Sequence, residues 1–150
     1  MNSMRPIDKL TAVNVVIGQV QSVQPHPNGD HISIADVIYG TDKQASIIFG
    51  GIREVVSVGC FVPVAPPTKS CRVEGKKMRR RKYRGVYSYG ELCSLFELGL
   101  LDTDTDQVAV LQASLVLKPG RPLIELLKEI DSFNDLWLVF RAPVSKHDMS

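Results

Sequence analysis

The sequence predicts a mainly β protein whose short strands close, or nearly close, into a single barrel. Three observations support this prediction. Runs of alternating or β-branched apolar residues recur along the chain, clusters of turn-forming residues separate them, and one segment alone has apolar residues at helical spacing. A chain of 150 residues is also long enough to bury a hydrophobic core without metal or disulfide cross-links.

Four strands are predicted in the first half of the chain, each followed by residues that favour turns. The densest turn cluster runs from Pro25 to Asp30, where the Pro-His-Pro setting of His26 suggests that this side chain shapes the turn. The pair Pro66-Pro67 ends the fourth strand, and residues 52–57 are expected to form a loop or helical turn before it. The predicted strands are 13–24, 31–39, 44–49 and 59–65.

The second half of the chain is predicted to add one more strand and the only helix. Residues 85–94 are expected as a strand, followed by a helical turn at 95–100 and an acidic loop at 102–106. A helix is expected at about 122–130, where apolar residues recur every three or four positions. These apolar residues are Leu123, Leu126, Leu127 and Ile130.

The predicted elements suggest one domain with an appendage at each end. Residues 1–12 are expected to form a short N-terminal lead, and residues 13–117 the barrel domain. Within that domain, residues 108–111 and 114–117 are expected as short extended pieces. Residues 118–150 then form the C-terminal helix and an extension.

The charge distribution is the strongest functional signal in the sequence. The formal net charge is only +2, yet residues 69–84 hold nine of the eighteen Lys and Arg side chains. Residues 91–135 carry nine acidic side chains against three basic ones. A polyanion responds to the local field of such a cluster more than to the net charge of the protein. The distribution therefore predicts an anionic partner at residues 69–84.

The densest part of this cluster predicts nucleic-acid binding. Seven Lys or Arg side chains fall within the nine residues 76–84, and no acidic side chain lies among them. Neutralised phosphates release counterions, so clustered cations supply affinity for nucleic acid, and a tyrosine among them can stack on a base. The alternative is a solvated edge strand whose charges resist aggregation, a task that needs fewer cations. The predicted RNA-binding residues of this run are Lys76, Lys77, Arg79, Arg80, Arg81, Lys82, Tyr83 and Arg84.

The cysteines and acidic residues do not predict disulfides or a metal site. The three cysteines are odd in number and include no Cys-x-x-Cys pair, which fits a reducing, cytoplasmic compartment. Residues 102–106 resemble the start of a calcium-binding loop. The sixth and twelfth positions of such a loop need Gly and an acid, but they are Gln107 and Ala113 here.

No motif in the sequence predicts catalysis. The pair Gly50-Gly51 lacks the Lys and Ser/Thr of a phosphate-binding loop, and no serine or cysteine has a base and an orienting acid at motif spacing. No apolar run approaches the length that spans a membrane. We therefore expect a non-enzymatic cytoplasmic protein that has no cofactor, metal, membrane partner or small-molecule substrate.

Several ordered motifs between Val15 and Gly99 resemble the tRNA-binding domain family. His26 to Ile32 is similar to the family's H-P-N-A-D-K-L, and Gly59 to Ala65 looks like its G-x-x-V-P-V-A strand. The most specific match runs from Arg84 to Leu100 and parallels R-G-V-x-S-x-G-M-L-C-S-x-x-E-L-G-L. The family includes the N-terminal domain of the phenylalanyl-tRNA synthetase β-subunit, which the chain resembles most, and stand-alone tRNA-binding proteins.

The resemblance implies a five-stranded OB-fold barrel, followed by a short C-terminal helix and extension. It also implies that the domain binds tRNA and is not catalytic. Other structured RNAs are further candidate partners. Ser88 and Ser94 lie in the matched segment, and their hydroxyls can bond to backbone or phosphate, so both join the predicted RNA-binding residues. Glu91 replaces the family's Met, which puts an acid where it either weakens RNA contact or pairs with an arginine.

Two alternatives stay open at the level of the sequence. Relatives in this family often dimerise, and some resemble secretion chaperones, so the chain is also a candidate for a dimeric protein-interaction module. The basic run would then bind acidic surfaces of protein partners. The second alternative is a non-catalytic fragment of a phenylalanyl-tRNA synthetase β-subunit.

Overall fold

The computed structural model of the chain describes residues 5–130 and 135–143. Five antiparallel strands form its main sheet: β1 (Val16–Pro25), β2 (Ile32–Gly40), β3 (Lys43–Gly50), β4 (Phe61–Ala65) and β9 (Glu91–Leu92). They are hydrogen bonded in the order β3-β2-β1-β4-β9 and curl into a nearly closed barrel. The predicted mainly β fold of the OB type is therefore confirmed.

The strand β1 lies at the centre of the sheet and pairs with two neighbours. Val16 lies opposite Val64 of β4, and Val20 lies opposite Val37 of β2. The register of β1 against β2 shifts between Val20 and Ser22, which is a β-bulge. A bulge increases local twist and bends the strand, so the long strand β1 can pair with both β2 and β4 as the sheet curls into a barrel.

The barrel closes along β3 through Ser88, the last residue of β8 (Val86–Ser88), and Tyr89, the residue after it. The backbone N–H of Tyr89 donates to the carbonyl oxygen of Ser46 at 3.0 Å. The backbone N–H of Ile48 donates to the Ser88 hydroxyl at 2.9 Å. These bonds join β3 to the segment before β9, whereas β9 itself pairs with β4.

The strand predicted over residues 85–94 is interrupted at Gly90. This glycine has a φ of 112°, which an L side chain rarely adopts. A Cβ atom at this position would lie 2.4 Å from the carbonyl oxygen of Ala65, so the backbones approach too closely for any side chain. The predicted strand therefore divides into β8 (Val86–Ser88) and β9.

The basic segment folds into two short β-hairpins between β4 and β9. The first pairs β5 (Arg72–Val73) with β6 (Lys76–Lys77), and the second pairs β7 (Arg81–Tyr83) with β8. We call the second one, residues 81–88, the basic hairpin. Both central residues of each turn have positive φ, as in the type I′ turns whose twist matches the flanking strands. The turn residues are Glu74-Gly75 and Arg84-Gly85.

Two clusters of buried side chains form the core. The first fills the barrel and includes Val20, Val37, Ile47 and Val62. The second lies between the barrel and the short helices, and it includes Ile17, Leu98, Leu123 and Phe140. The helices are α1 (Pro6–Lys9), α2 (Leu95–Leu98) and α3 (Leu123–Glu129), with 3-10 turns at Arg53–Val55 and Leu136–Leu138.

The C-terminal helix predicted at about 122–130 is confirmed as α3, whereas the extended pieces predicted at 108–111 and 114–117 form no strand in the described ranges. Leu111 makes a single isolated bridge with Phe140. Parts of the predicted lead and extension, namely residues 1–4, 131–134 and 144–150, lie outside the described residues. Among the helices that are described, none has the length and apolar character needed to cross a membrane.

Candidate nucleic-acid interface

A groove of about 950 Å³ runs over β2 and β3 beside the basic hairpin. OB folds bind oligonucleotides on the face of their second and third strands, between two flanking loops. Here the β1–β2 turn supplies one flank, and the segment with the two hairpins supplies the other. The lining side chains include Ser33, Phe49, Arg79, Arg81, Tyr83 and Glu91.

The buried imidazole of His26 ties the two flanks together. Its Nε2 lies 2.9 Å from the carbonyl oxygen of Tyr83, and the backbone N–H of Asn28 donates to its Nδ1 at 3.0 Å. A carbonyl oxygen only accepts hydrogen bonds, so Nε2 is the donor to Tyr83, while Nδ1 is the acceptor from Asn28. His26 therefore shapes the β1–β2 turn and at the same time holds the basic hairpin against it.

A second pair of bonds between the same flanks involves Asn28 and Arg84. The Asn28 Nδ2 donates to the carbonyl oxygen of Arg84 at 3.2 Å, and the Arg84 Nη1 donates to the carbonyl oxygen of Asn28 at 3.3 Å. Arg84 adopts a φ of 47°, so its backbone needs such support. Together with His26, these bonds fix where the hairpin stands beside the groove.

All seven basic side chains of the run are exposed, and within the described ranges none of them forms an ion pair with an acid. The ion pairs that are present lie elsewhere and join Arg5 to Asp8 and Arg121 to Glu125 and Glu129. The charge of the run is therefore not neutralised internally. The seven residues are Lys76, Lys77, Arg79, Arg80, Arg81, Lys82 and Arg84.

The basic hairpin presents different side chains on its two faces. Arg81 pairs with Ser88, Tyr83 pairs with Val86, and Lys82 pairs with Tyr87. Because neighbouring residues of a strand point to opposite faces, the Lys82–Tyr87 pair lies on the face away from Arg81. Arg81 and Tyr83 line the groove, and the Lys82–Tyr87 pair does not.

On this outer face, two cations lie over one aromatic ring. The guanidinium carbon of Arg80 is 4.5 Å from the centroid of the Tyr87 ring, and the Lys82 Nζ is 5.4 Å from it. Tyr89, two residues further on, has its ring centroid 6.3 Å from that of Tyr87. Tyr87 and Tyr89 are not among the RNA-binding residues predicted from the sequence, although their alternation with Ser88 beside a basic strand is a signal for a shared face.

Ser88 and Ser94 differ from the rest of the predicted RNA-binding set because both are buried. The Ser88 hydroxyl accepts from the N–H of Ile48 and donates to the carbonyl oxygen of Gly90. Ser94 begins α2 with a capping box, in which its side chain and that of Glu97 each bond the other residue's backbone N–H. Both hydroxyls are hydrogen bonded within the fold.

Glu91 lies in the groove near a second carboxyl group. Burial raises the pKa of Glu91 to about 8, and a side-chain hydrogen bond and repulsion from Glu97 add to this shift, while Arg81 opposes it. Glu91 makes no ion pair with an arginine among the described residues. The acid at this position is therefore paired with another acid and mainly protonated at neutral pH.

The described residues contain no group of three or more His, Cys, Asp or Glu side chains that could hold a metal ion. The three cysteines are buried and free, and they lie in the core. The groove lining is mixed in charge. Its basic side chains are Arg53, Lys76, Arg79 and Arg81, and its acidic side chains are Glu54, Glu74, Glu91, Glu97, Asp104 and Asp106.

Comparison with known proteins finds relatives of this chain, although no protein-family model matches it. The chain is 35% identical over 134 residues to the phenylalanine–tRNA ligase β subunit of Prochlorococcus marinus strain MIT 9313. It is 32% identical over 127 residues to that of Latilactobacillus sakei. The chain is a homologue of phenylalanine–tRNA ligase β subunits. The alignments cover 88% and 81% of this chain but only 16% and 15% of the two β subunits, so the chain spans about a sixth of their length.

A solved structure supports the same fold. The C-terminal domain of Plasmodium vivax p43 superimposes on this homologue of the β subunits with a TM-score of 0.51, over 72% of this chain and 57% of that one. The two sequences are 19% identical, so the likeness concerns the fold alone. The resemblance found in the motifs from His26 to Leu100 is confirmed by the β-subunit relatives.

Proposed function

We propose that this chain is a non-catalytic module that binds tRNA in the cytoplasm, with the groove and the basic hairpin as its binding surface. The observation that carries the proposal is the set of seven exposed cations, none of them in an ion pair among the described residues, beside the ligand-binding face of an OB fold. The relatives give independent support, because their name identifies tRNA as what they act on. Dimerisation and binding of other structured RNAs stay predictions.

The residues of the basic run 76–84 are proposed to contact tRNA at different places. Arg79 and Arg81 line the groove and neutralise phosphates there, and Tyr83, which is 43% exposed, offers a ring on which a base can stack. Lys76 and Lys77 extend the positive surface along the first hairpin. Ser88 and Ser94 are not included in the proposed surface, since their hydroxyls already have partners in the fold.

The test is a binding isotherm with unfractionated tRNA at several salt concentrations. Each neutralised phosphate contributes roughly 0.7–0.9 to the slope of log K against log salt, so several contacts give a steep decline. Replacing Arg79, Arg80 and Arg81 together with Ala is expected to weaken binding of all tRNA species and to reduce this slope by about two to three. Affinity that does not change with salt would contradict the proposal.

A matched control removes the same charge elsewhere on the surface. Lys9, Lys118 and Lys128 are exposed and do not line the groove, so replacing all three with Ala lowers the net charge equally. We expect this control to bind tRNA nearly as the unmodified chain does. Equal losses in the two triple variants would mean that tRNA responds to the net charge and not to the proposed surface.

A further inference from the structure

We infer that the outer face of the basic hairpin, together with the flanking residues Arg80 and Tyr89, is a second contact surface, on which Tyr89 stacks on an unpaired base while Arg80 and Lys82 hold the adjacent phosphates. This inference rests on the proposed function, which it deepens by naming the part of the RNA that is recognised. We call the four residues Arg80, Lys82, Tyr87 and Tyr89 the aromatic platform.

The aromatic platform is separate from the groove. Ser88 is turned into the barrel wall by its bonds to Ile48 and Gly90, so its neighbours Tyr87 and Tyr89 point outward. None of the four platform residues lines the groove, whereas Arg79, Arg81 and Tyr83 do. A nucleotide on the platform therefore makes contacts that the groove cannot supply.

Tyr87 orders the two cations of the platform. Arg80 and Lys82 both lie within about 6 Å of its ring centroid, the range in which a cation is attracted to an aromatic face. The ring therefore holds two flexible cations in place before RNA arrives. Pre-ordered side chains lose less conformational entropy on binding, so Tyr87 is a positioning residue for phosphate contacts.

The ring of Tyr89 has no cation over it among the described residues. Its backbone N–H is bonded to Ser46 of β3, so the ring stands on a fixed strand. Tyr89 is 39% exposed, and its ring centroid lies 6.3 Å from that of Tyr87. A single nucleotide can therefore place its base on Tyr89 and its phosphate at the cations over Tyr87.

The occupant that fits the platform is an unpaired nucleotide. Bases inside a duplex are stacked on each other and offer no free face, whereas bases in loops and single-stranded ends can stack on aromatic side chains. Two cations beside the ring supply the charge complement to the phosphate of that nucleotide. The chemistry of the platform thus fits an unpaired nucleotide, while an acidic peptide would use the cations and leave the Tyr89 ring unused.

The test compares Tyr89→Leu with Tyr89→Phe in the full chain. Loss of one base stack costs roughly tenfold in affinity, so Tyr89→Leu is expected to bind a single-stranded 12-nucleotide RNA about tenfold more weakly. Its salt slope should stay unchanged, because no charge is lost. Tyr89→Phe keeps the ring and should restore the affinity, and a 12-base-pair RNA duplex should bind all three proteins equally.

A second measurement uses Tyr83→Leu, which keeps Tyr89 and lacks the groove tyrosine that is proposed to stack on a base. A single-stranded RNA that carries 2-aminopurine should lose fluorescence when this variant binds it, because stacking on Tyr89 quenches this base. Absence of quenching, or unchanged single-strand affinity in a folded Tyr89→Leu variant, would overturn the platform while the proposed function stands. If neither RNA binds the unmodified chain, both the platform and the proposed function are wrong.

Discussion

Glu91 sits in the groove among groups that oppose its ionisation. Burial is the largest cause, Glu97 contributes a hydrogen bond and repulsion, Glu74 adds repulsion, and Arg81 alone lowers the pKa. The folded pKa of about 8 lies above the ordinary value of 4.5, so folding favours the protonated form. A protonated carboxyl group does not repel phosphate, which reconciles an acid at this position with a binding groove.

This pKa predicts how stability changes with pH. The contribution of Glu91 is fully present below pH 4.5, and it is lost as the pH rises through about 8, because the unfolded chain releases the proton first. Replacing Glu91 with Gln removes this titration. We expect the free energy of unfolding of Glu91→Gln, measured with urea, to fall less between pH 5 and pH 8.5 than that of the unmodified chain.

Glu54 offers the matched control, because it is an exposed glutamate beside the same groove. Replacing Glu54 with Gln makes the same chemical change without removing a buried carboxyl group, so its pH dependence should follow the unmodified chain. Parallel curves for Glu91→Gln and Glu54→Gln would show that residue 91 does not titrate as described.

The sequence identified the exposed basic side chains but could not separate hydroxyls that face solvent from those that face the core. Arg79 and Arg81 belong to a run so rich in charge that burial of the whole run is physically excluded. Ser88 and Ser94 carry no such constraint, since a serine is satisfied equally well by a backbone partner, as it is here. Only the three-dimensional arrangement shows whether a serine hydroxyl faces solvent or the core.

At the scale of elements, the β1–β2 turn and the basic hairpin act as one unit, because His26 and Asn28 bond to the backbone of Tyr83 and Arg84. The hairpin has two strands of three residues each, too few for independent stability. Its geometry therefore depends on the turn against which it is held.

We expect His26→Ala to destabilise the fold by about 1–3 kcal/mol, because two bonds of a buried ring are lost. The same variant should bind tRNA more weakly, since the basic hairpin is no longer held beside the groove. Urea unfolding and a tRNA isotherm measure the two effects. His31→Asn is the control for the unfolding measurement alone, because His31 is exposed and Asn tolerates its positive φ of 63°, whereas its side chain lines the groove. If His26→Ala is destabilised but binds tRNA normally, the ring serves stability alone.

Strands β1 to β4 could be predicted from the sequence because turn-forming residues such as Pro25 to Asp30 mark their ends. The two hairpins could not, because their turns place Glu74 and Arg84 at positive φ, where these residue types are uncommon. The break at Gly90 depends on its close approach to Ala65, a contact distant in sequence. Long-range packing of this kind is not encoded in a local pattern.

At the scale of the whole molecule, the barrel and the C-terminal helix share one core. The N–H of Leu123 donates to the carbonyl oxygen of Val15 at 2.9 Å, and the Leu123 side chain is completely buried in the cluster that contains Ile17 and Leu98. The domain boundary predicted between residues 117 and 118 is therefore crossed by packing and hydrogen bonds. We propose that residues on both sides of it unfold together.

Leu123→Ala tests this proposal. Loss of a fully buried leucine side chain costs about 2–5 kcal/mol, and in a shared core that cost falls on the barrel as well as on α3. Thermal unfolding followed by far-UV circular dichroism, which reports the strands, should show a single transition at a lower Tm. Ile124→Ala is the control, since this neighbour on the same helix is 43% exposed and should cost under about 1 kcal/mol. A barrel transition that keeps its Tm in Leu123→Ala, with a separate early loss of helix signal, would show that α3 is an independent appendage.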